Sequence, residues 1–191
     1  MLSRLKEFKL IAYQLTRPVS YLRIQHDDKW IYDWLIPGTL TAVSVIALFS
    51  LTSIAYVTGG GGLLSQLTGF LENLPGFFIA ALAAVATFNR HDIDEVMNNP
   101  PRVRIMYQGN LGFVEMTRRR FLCVLFSYLT AVTIFLIVAY YIASAIGKET
   151  ILPDWFQWVL ATSYLFLFWQ MVTATLLGLF YLGERLHTPG A

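Results

Sequence analysis

The sequence contains a single cysteine, Cys123, and few charged residues. One thiol excludes an intramolecular disulfide framework and a zinc site built from cysteines. Charged residues make up 14% of the 191 residues, well below the roughly 25% typical of soluble domains. Three runs, 35–57, 121–146 and 155–183, hold no Asp, Glu, Lys, Arg or His. Each run is long enough to cross a hydrocarbon core of about 30 Å as a helix, which indicates an integral membrane protein.

The sequence also lacks the motifs of common enzyme active sites. The glycines at 59–62 are not followed by the Lys-Ser/Thr pair of a phosphate-binding loop. The histidines at 26, 91 and 187 lie in no recognisable catalytic motif. Transporters usually carry ionisable residues inside their spans, and the three apolar runs have none. The sequence therefore predicts neither an enzyme nor a transporter, and no cofactor.

The distribution of basic residues predicts four spans rather than three. Of the 14 Lys and Arg residues, six precede the first run, six lie in segment 89–120, and segment 58–76 carries none. If residues 34–88 cross the membrane twice and both termini face the cytoplasm, all but one of these residues lie inside, as the positive-inside rule favours. The predicted fold class is an all-α membrane protein with four transmembrane helices and an N-in, C-in orientation.

This topology divides the chain into five segments. They are a cytoplasmic or interfacial amphipathic arm (1–33), the first two spans (34–88), an ordered cytoplasmic loop (89–120), a hairpin of the third and fourth spans (121–184) and a cytoplasmic tail (185–191). The first span is predicted to run from Trp34 to Val57 and to end at the flexible glycines. Segment 63–74 is amphipathic and allows two arrangements: one helix over 63–88 kinked at Pro75, or an outer interfacial helix followed by a short crossing helix.

Two acidic and histidine-containing clusters could supply metal ligands. They comprise His26, Asp27 and Asp28, and His91, Asp92, Asp94 and Glu95. Carboxylates suit hard cations and histidine suits transition metals, but the spacing matches no known ligand motif. Asp92 and Asp94 also suit the start of a short helix over 92–98. We therefore predict no metal site.

The arm and the loop over 89–120 are the predicted partner-binding surfaces. The loop is about 30 residues long and too apolar for a disordered segment, so we expect an ordered cytoplasmic structure that packs against a surface the sequence does not identify. The arm is typical of a helix that lies on the membrane or binds a partner. The residues predicted to bind a partner are Arg4, Lys6, Lys9, Arg102, Arg104, Tyr107, Arg118 and Arg119.

The second span carries the residues predicted to respond to the bilayer. A short helix with an amphipathic lead-in is sensitive to bilayer thickness, and the residues concerned are Leu67, Phe70, Pro75 and Phe77. Small residues, among them Ala80 and Ala84, favour close helix contact within the chain or between subunits. Gln170, near the middle of the fourth span, is expected to hydrogen-bond to a neighbouring helix.

Four spans, a basic arm and a large loop over His91–Arg120 give the chain a layout that resembles the membrane subunits of the bacterial Kiwa anti-phage system, the KwaA family. The resemblance extends over the whole chain in size and topology. It implies a tetrameric inner-membrane sensor that responds to envelope disturbance by a phage, with a cytoplasmic DNA-binding effector, KwaB, docked on its inner face. Membrane lipids are the other expected partners, and the chain itself would not bind nucleic acid. The competing class is a holin-like or depolarising oligomeric pore.

Overall fold

The computed structural model describes residues 11, 16–24, 29–87, 94, 102–107, 110–149 and 152–183. Within these residues, four helical segments are long and apolar enough to cross a membrane. They are Ile31–Leu51, Ile54–Thr87, Arg118–Gly147 and Asp154–Leu182. The predicted all-α class with four spanning helices is confirmed, and this architecture is that of a multi-pass membrane protein.

The first span differs from the prediction at both ends. It begins with a π-helical turn, Ile31–Leu35, and continues as helix α1, Ile36–Leu51. The helix stops before the glycines because Thr52 and Ser53 adopt extended backbone conformations. Serine and threonine side chains compete with the helix for backbone hydrogen bonds, which is consistent with a break at this pair. A separate short helix, α2, then covers Ile54–Thr58.

The four glycines form a tight turn rather than a flexible break. A Cβ on Gly62 would lie 1.9 Å from the carbonyl oxygen of Tyr56, and one on Gly59 would lie 2.4 Å from that of Ala55. Gly61 has a φ of +80°, a conformation that side chains disfavour. A Cβ on Gly60 would meet nothing within 4 Å. The turn therefore requires glycine at some of these positions and not at others.

Pro75 begins a helix instead of kinking one. Helix α3 covers Leu63–Leu71, residues 72–73 form a turn, and helix α4 covers Leu74–Thr87. A proline in the first turn of a helix removes no helical hydrogen bond. Of the two arrangements that the sequence left open, the structure has separate helices. With 14 residues, α4 is about 21 Å long, which is shorter than a hydrocarbon core of about 30 Å.

The third and fourth spans are two long antiparallel helices, α5 (Arg118–Glu149) and α6 (Asp154–Gly183). The rings of Phe121 and Tyr181 lie 5.2 Å apart at one end. Helix α4 packs along α5, and α1 packs along α6. The core between them is apolar, with Leu71, Phe78, Leu125, Leu129 and Met171 almost completely buried. We call the end that carries Arg17, Lys29 and residues 118–120 the basic end of the bundle.

The loop between the second and third spans contains a β-hairpin. Strand β1 (Arg102–Tyr107) pairs antiparallel with β2 (Asn110–Glu115), from Arg102 opposite Glu115 to Tyr107 opposite Asn110. The sequence predicted an ordered loop but no strands. The signal was present, because basic and apolar residues alternate over 102–105 and a glycine follows at 109. Apart from Asp94, the helix predicted over 92–98 lies outside the described residues.

Candidate coupling sites at the basic end of the bundle

A buried carboxylate lies at the start of the first span. Asp33 is only 2% exposed. It forms an ion pair with Lys29, one helical turn earlier, and its Oδ1 accepts a hydrogen bond of 3.0 Å from the Tyr21 hydroxyl. The expectation that no span contains a charge is wrong here, because the first span already begins at Ile31. Ionisable residues in spans are uncommon and usually serve pairing or function, which makes Asp33 a candidate functional residue.

Tyr21 fastens the segment before the first span to the bundle. It lies on a 3₁₀ helix, Arg17–Arg23, and is 1% exposed. Its ring stacks on Tyr128 of α5 with centroids 4.8 Å apart, and the Lys29 ammonium lies 4.5 Å from its centroid. Burial and the negative charge of Asp33 raise the pKa of Tyr21, so the hydroxyl stays protonated and donates to the carboxylate.

Pro37 explains why α6 binds the backbone of the first span. In an α-helix the N–H of residue 37 would donate to the carbonyl of Asp33, and in a π-helix to that of Tyr32. Proline has no N–H, so neither carbonyl can receive that bond. Side chains of α6 lie at these carbonyls instead. Gln170 Nε2 donates to the Asp33 carbonyl oxygen at 3.1 Å. Thr173 Oγ1 lies 3.2 Å from the Tyr32 carbonyl oxygen and 3.0 Å from that of Gln170, so its single proton is shared between the two.

Gln170 completes a polar network among four elements. Its Oε1 accepts a 2.8 Å hydrogen bond from the Tyr128 hydroxyl of α5, while its amide nitrogen binds the first span. The structure thus gives it bonds to two neighbouring elements. We call the set Tyr21, Lys29, Asp33, Tyr128 and Gln170 the Asp33 junction. It connects the 3₁₀ helix, the start of the first span, α5 and α6 through side chains that are nearly all buried.

Arg119 connects the second span to the loop that follows it. Its Nη1 donates to the carbonyl oxygens of Val85 at 2.9 Å and Ala86 at 3.2 Å, at the end of α4. Its Nε and Nη2 bind the two carboxylate oxygens of Asp94 at 2.7 and 3.0 Å. The last carbonyls of a helix lack main-chain donors, and the guanidinium has enough N–H groups to bind them and a carboxylate together. Arg119 therefore links three parts of the chain.

Several residues predicted to bind a partner or a metal ion lie away from these two groups of contacts or outside the described residues. Arg118 is half-buried at the start of α5, and Arg102, Arg104 and Tyr107 lie on β1. The arm residues Arg4, Lys6 and Lys9 lie outside the described part of the chain, as do all members of the two metal-ligand clusters except Asp94. Within the described part, no group of three or more His, Cys, Asp or Glu residues could hold a metal ion.

Helix α3 is tied to both long helices at the opposite end of the bundle. The Tyr141 hydroxyl of α5 donates to Glu72 at 2.6 Å, and the hydroxyls of Thr68 and Tyr164 lie 2.8 Å apart. Of the residues predicted to respond to the bilayer, Leu67 and Pro75 are partly buried. The other two, Phe70 and Phe77, are 55% and 57% exposed.

Most of the small residues of α4 face away from the rest of the chain. Ala80 and Ala84 are exposed, as is Gly76 one turn earlier, whereas Phe78 and Val85 are buried. Of the two contacts that the sequence allowed, Ala80 and Ala84 therefore do not make the intramolecular one, whereas Ala81 packs against the core. Lipid or a second subunit must cover these residues in a membrane.

Comparison with protein-family models, curated proteins and solved structures returned no match to the chain. The resemblance to the Kiwa membrane subunits is therefore still a prediction from size and topology. What the chain does has to be argued from its own contacts. The most specific of these contacts are those of the Asp33 junction and of Arg119, and both lie at the basic end of the bundle.

Proposed function

We propose that this chain is a sensor and scaffold subunit of the bacterial inner membrane that transmits envelope disturbance to a cytoplasmic effector protein. The contacts of Arg119 are the observation that carries the proposal, because they join the end of α4 directly to Asp94 of the loop. In the proposed orientation the basic end faces the cytoplasm, in agreement with the positive-inside rule. The resemblance to the Kiwa membrane subunits supports a role in anti-phage defence.

The input would act on α4 because this helix is too short for the bilayer. Between Arg119 and Tyr141, helix α5 extends over 22 residues, or about 33 Å, whereas α4 is about 21 Å long. A short span requires the bilayer to thin or an adjacent segment to enter the interface. A change in bilayer thickness or curvature then changes the favoured position of α4 relative to α5.

The output would pass through two connections at the basic end. Movement of α4 displaces the carbonyls of Val85 and Ala86, and Arg119 transmits this displacement to Asp94. The Asp33 junction meanwhile holds the 3₁₀ helix against α5. The arm and the hairpin would together present the effector-binding surface, whose geometry then depends on the position of α4.

Removing the Arg119 links should uncouple the response without unfolding the bundle. In the variant Arg119→Gln, an amide cannot bind two carbonyls and a carboxylate at once. We expect loss of phage protection in the native host, measured by plating efficiency, while the thermal unfolding temperature changes little because this ion pair is partly exposed. Arg23→Gln, which changes an exposed arginine of the 3₁₀ helix, should retain protection. Full protection by Arg119→Gln would contradict the coupling.

The exposed face of α4 should form the subunit contact of the proposed tetramer. Leucine at both Ala80 and Ala84 would hold two close-packed helices apart, so we expect the double variant to be monomeric by native mass spectrometry in mild detergent. Its monomer should keep the helical content of the wild type, measured by circular dichroism, since neither side chain is buried within the chain. Ala47→Leu, on an exposed position of α1, is the matched control. An intact oligomer in the double variant would place the contact elsewhere.

Purification from the native host in mild detergent distinguishes the sensor proposal from the pore alternative. A soluble protein that co-purifies at fixed stoichiometry with an oligomer of this chain supports the proposal. A homo-oligomer with no bound protein, which conducts ions when reconstituted alone in liposomes, would instead establish the pore and overturn the sensor. Both measurements use the full-length chain in a membrane-mimetic environment.

A further inference from the structure

A cavity of about 680 Å³ opens at the basic end between the 3₁₀ helix and the start of α5. Its size lies within the range of about 300–1,000 Å³ found for small-molecule sites. Three arginines line it, Arg17 from the 3₁₀ helix and Arg119 and Arg120 from α5, together with Thr117. Because these arginines come from two separate elements, the fold brings them together.

The charge of the cavity favours an anion. None of the described residues that line it is acidic, and the carboxylate of Asp94 reaches the region by binding Arg119. Among the described residues, three guanidinium groups against one carboxylate leave two positive charges. The side chains of Arg17 and Arg120 are exposed, so they can reorient to bind phosphate oxygens in the bidentate manner typical of arginine. The start of the 32-residue helix α5 adds a favourable dipole.

The wall of the cavity continues from the charged rim into the membrane span. Arg120, Val124 and Ser127 follow one another at helical spacing on the same face of α5, and all three line the cavity. Charge therefore lies at the interface and a largely apolar surface lies deeper. This combination suits a molecule with a phosphate at one end and an acyl chain at the other, and basic pockets between spans are known to bind anionic headgroups.

We propose that this cavity binds the phosphate headgroup of an anionic phospholipid of the phosphatidylglycerol type, with an acyl chain lying along Val124 and Ser127. Bound there, the lipid would bridge the 3₁₀ helix and α5, the two elements that the Asp33 junction also joins. This inference does not depend on the sensor proposal, because it concerns lipid binding by the chain alone.

Native mass spectrometry of the detergent-purified protein, titrated with phosphatidylglycerol or phosphatidylcholine, tests the proposal. We expect preferential retention of phosphatidylglycerol by the wild type and roughly 30-fold weaker retention by the double variant Arg17→Gln/Arg120→Gln. Arg23→Gln, an exposed arginine that does not line the cavity, should retain the lipid as the wild type does. Equal retention of the two lipids, or no effect of the double variant, would overturn the site.

A competition experiment distinguishes a bound lipid from a bound free phosphate. Glycerol 3-phosphate and inorganic phosphate at millimolar concentration should not displace bound phosphatidylglycerol, since they lack the acyl chain that contacts the deeper wall. Displacement by either would assign the cavity to a soluble phosphate compound and overturn the lipid. Val124→Trp, which fills the deeper wall without changing the charge, should weaken retention of phosphatidylglycerol.

Discussion

Replacing Asp33 by alanine is expected to destabilise the folded bundle by about 3 kcal/mol, the lower end of the range for breaking a buried ion pair. The substitution leaves the Lys29 ammonium without its carboxylate and removes the acceptor of the buried Tyr21 hydroxyl. The lower end applies because a lysine near the interface can extend its side chain towards water. Equilibrium unfolding in mixed micelles, followed by tryptophan fluorescence, measures the loss.

Two further variants separate the ion pair from the hydrogen bond. Asp33→Asn retains an acceptor for Tyr21 but removes the charge, so its loss of stability should be smaller than that of Asp33→Ala. Adding Lys29→Gln to Asp33→Asn removes both charges and should recover part of the remaining loss, since no unpaired charge is left. An Asp33→Ala protein that unfolds at the wild-type denaturant concentration would show that the junction does not fasten the 3₁₀ helix to the bundle.

The spans could be predicted from the sequence because they depend on composition alone. Any helix that crosses a hydrocarbon core must be long and apolar, and the charge-free runs satisfy that requirement without reference to the rest of the chain. The Asp33 junction depends on residues far apart in sequence. Asp33 lies two residues before the first charge-free run, and its burial requires Tyr21 and Gln170. Two local features of the sequence pointed to Asp33. Lys29, four residues before it, can form an ion pair with it on a helix, and Pro37, four residues after it, lacks the N–H that would bind its carbonyl.

The different roles of the three consecutive arginines at 118–120 could also be assigned only from the structure. In the sequence, Arg118, Arg119 and Arg120 form one basic run at the start of the third span. On a helix, neighbouring residues point about 100° apart, so the three side chains have different surroundings. Arg119 faces α4 and Asp94, whereas Arg120 is exposed at the cavity. The direction of the small-residue face of α4 was undetermined for the same reason, since it depends on which side of the helix packs against α5.

Replacing Gly62 by alanine is expected to destabilise the protein by about 3 kcal/mol, among the larger effects of single substitutions. Its Cβ would lie 1.9 Å from the Tyr56 carbonyl oxygen and 3.0 Å from that of Gly59. Both neighbours are backbone atoms, so the turn must open to admit the methyl group. The Gly62 N–H also donates to the Gly59 oxygen at 2.9 Å, and its carbonyl accepts the first bond of α3 from Gln66 at 3.1 Å. Opening the turn therefore displaces α3.

Gly60→Ala is the matched control, because it adds the same methyl group two residues earlier in the same turn. Its Cβ would meet nothing within 4 Å and its φ is not positive, so we expect a neutral effect or a gain of about 0.5 kcal/mol from the lower entropy of the unfolded chain. Thermal unfolding in detergent compares the two variants, and amide hydrogen exchange over 63–71 reports whether α3 has loosened in Gly62→Ala alone. If α3 carries the bilayer signal to α4, phage protection should fall with Gly62→Ala and persist with Gly60→Ala. Equal stability of the two variants would show that the turn accommodates a side chain at Gly62, and the tight geometry at 59–62 would then not position α3.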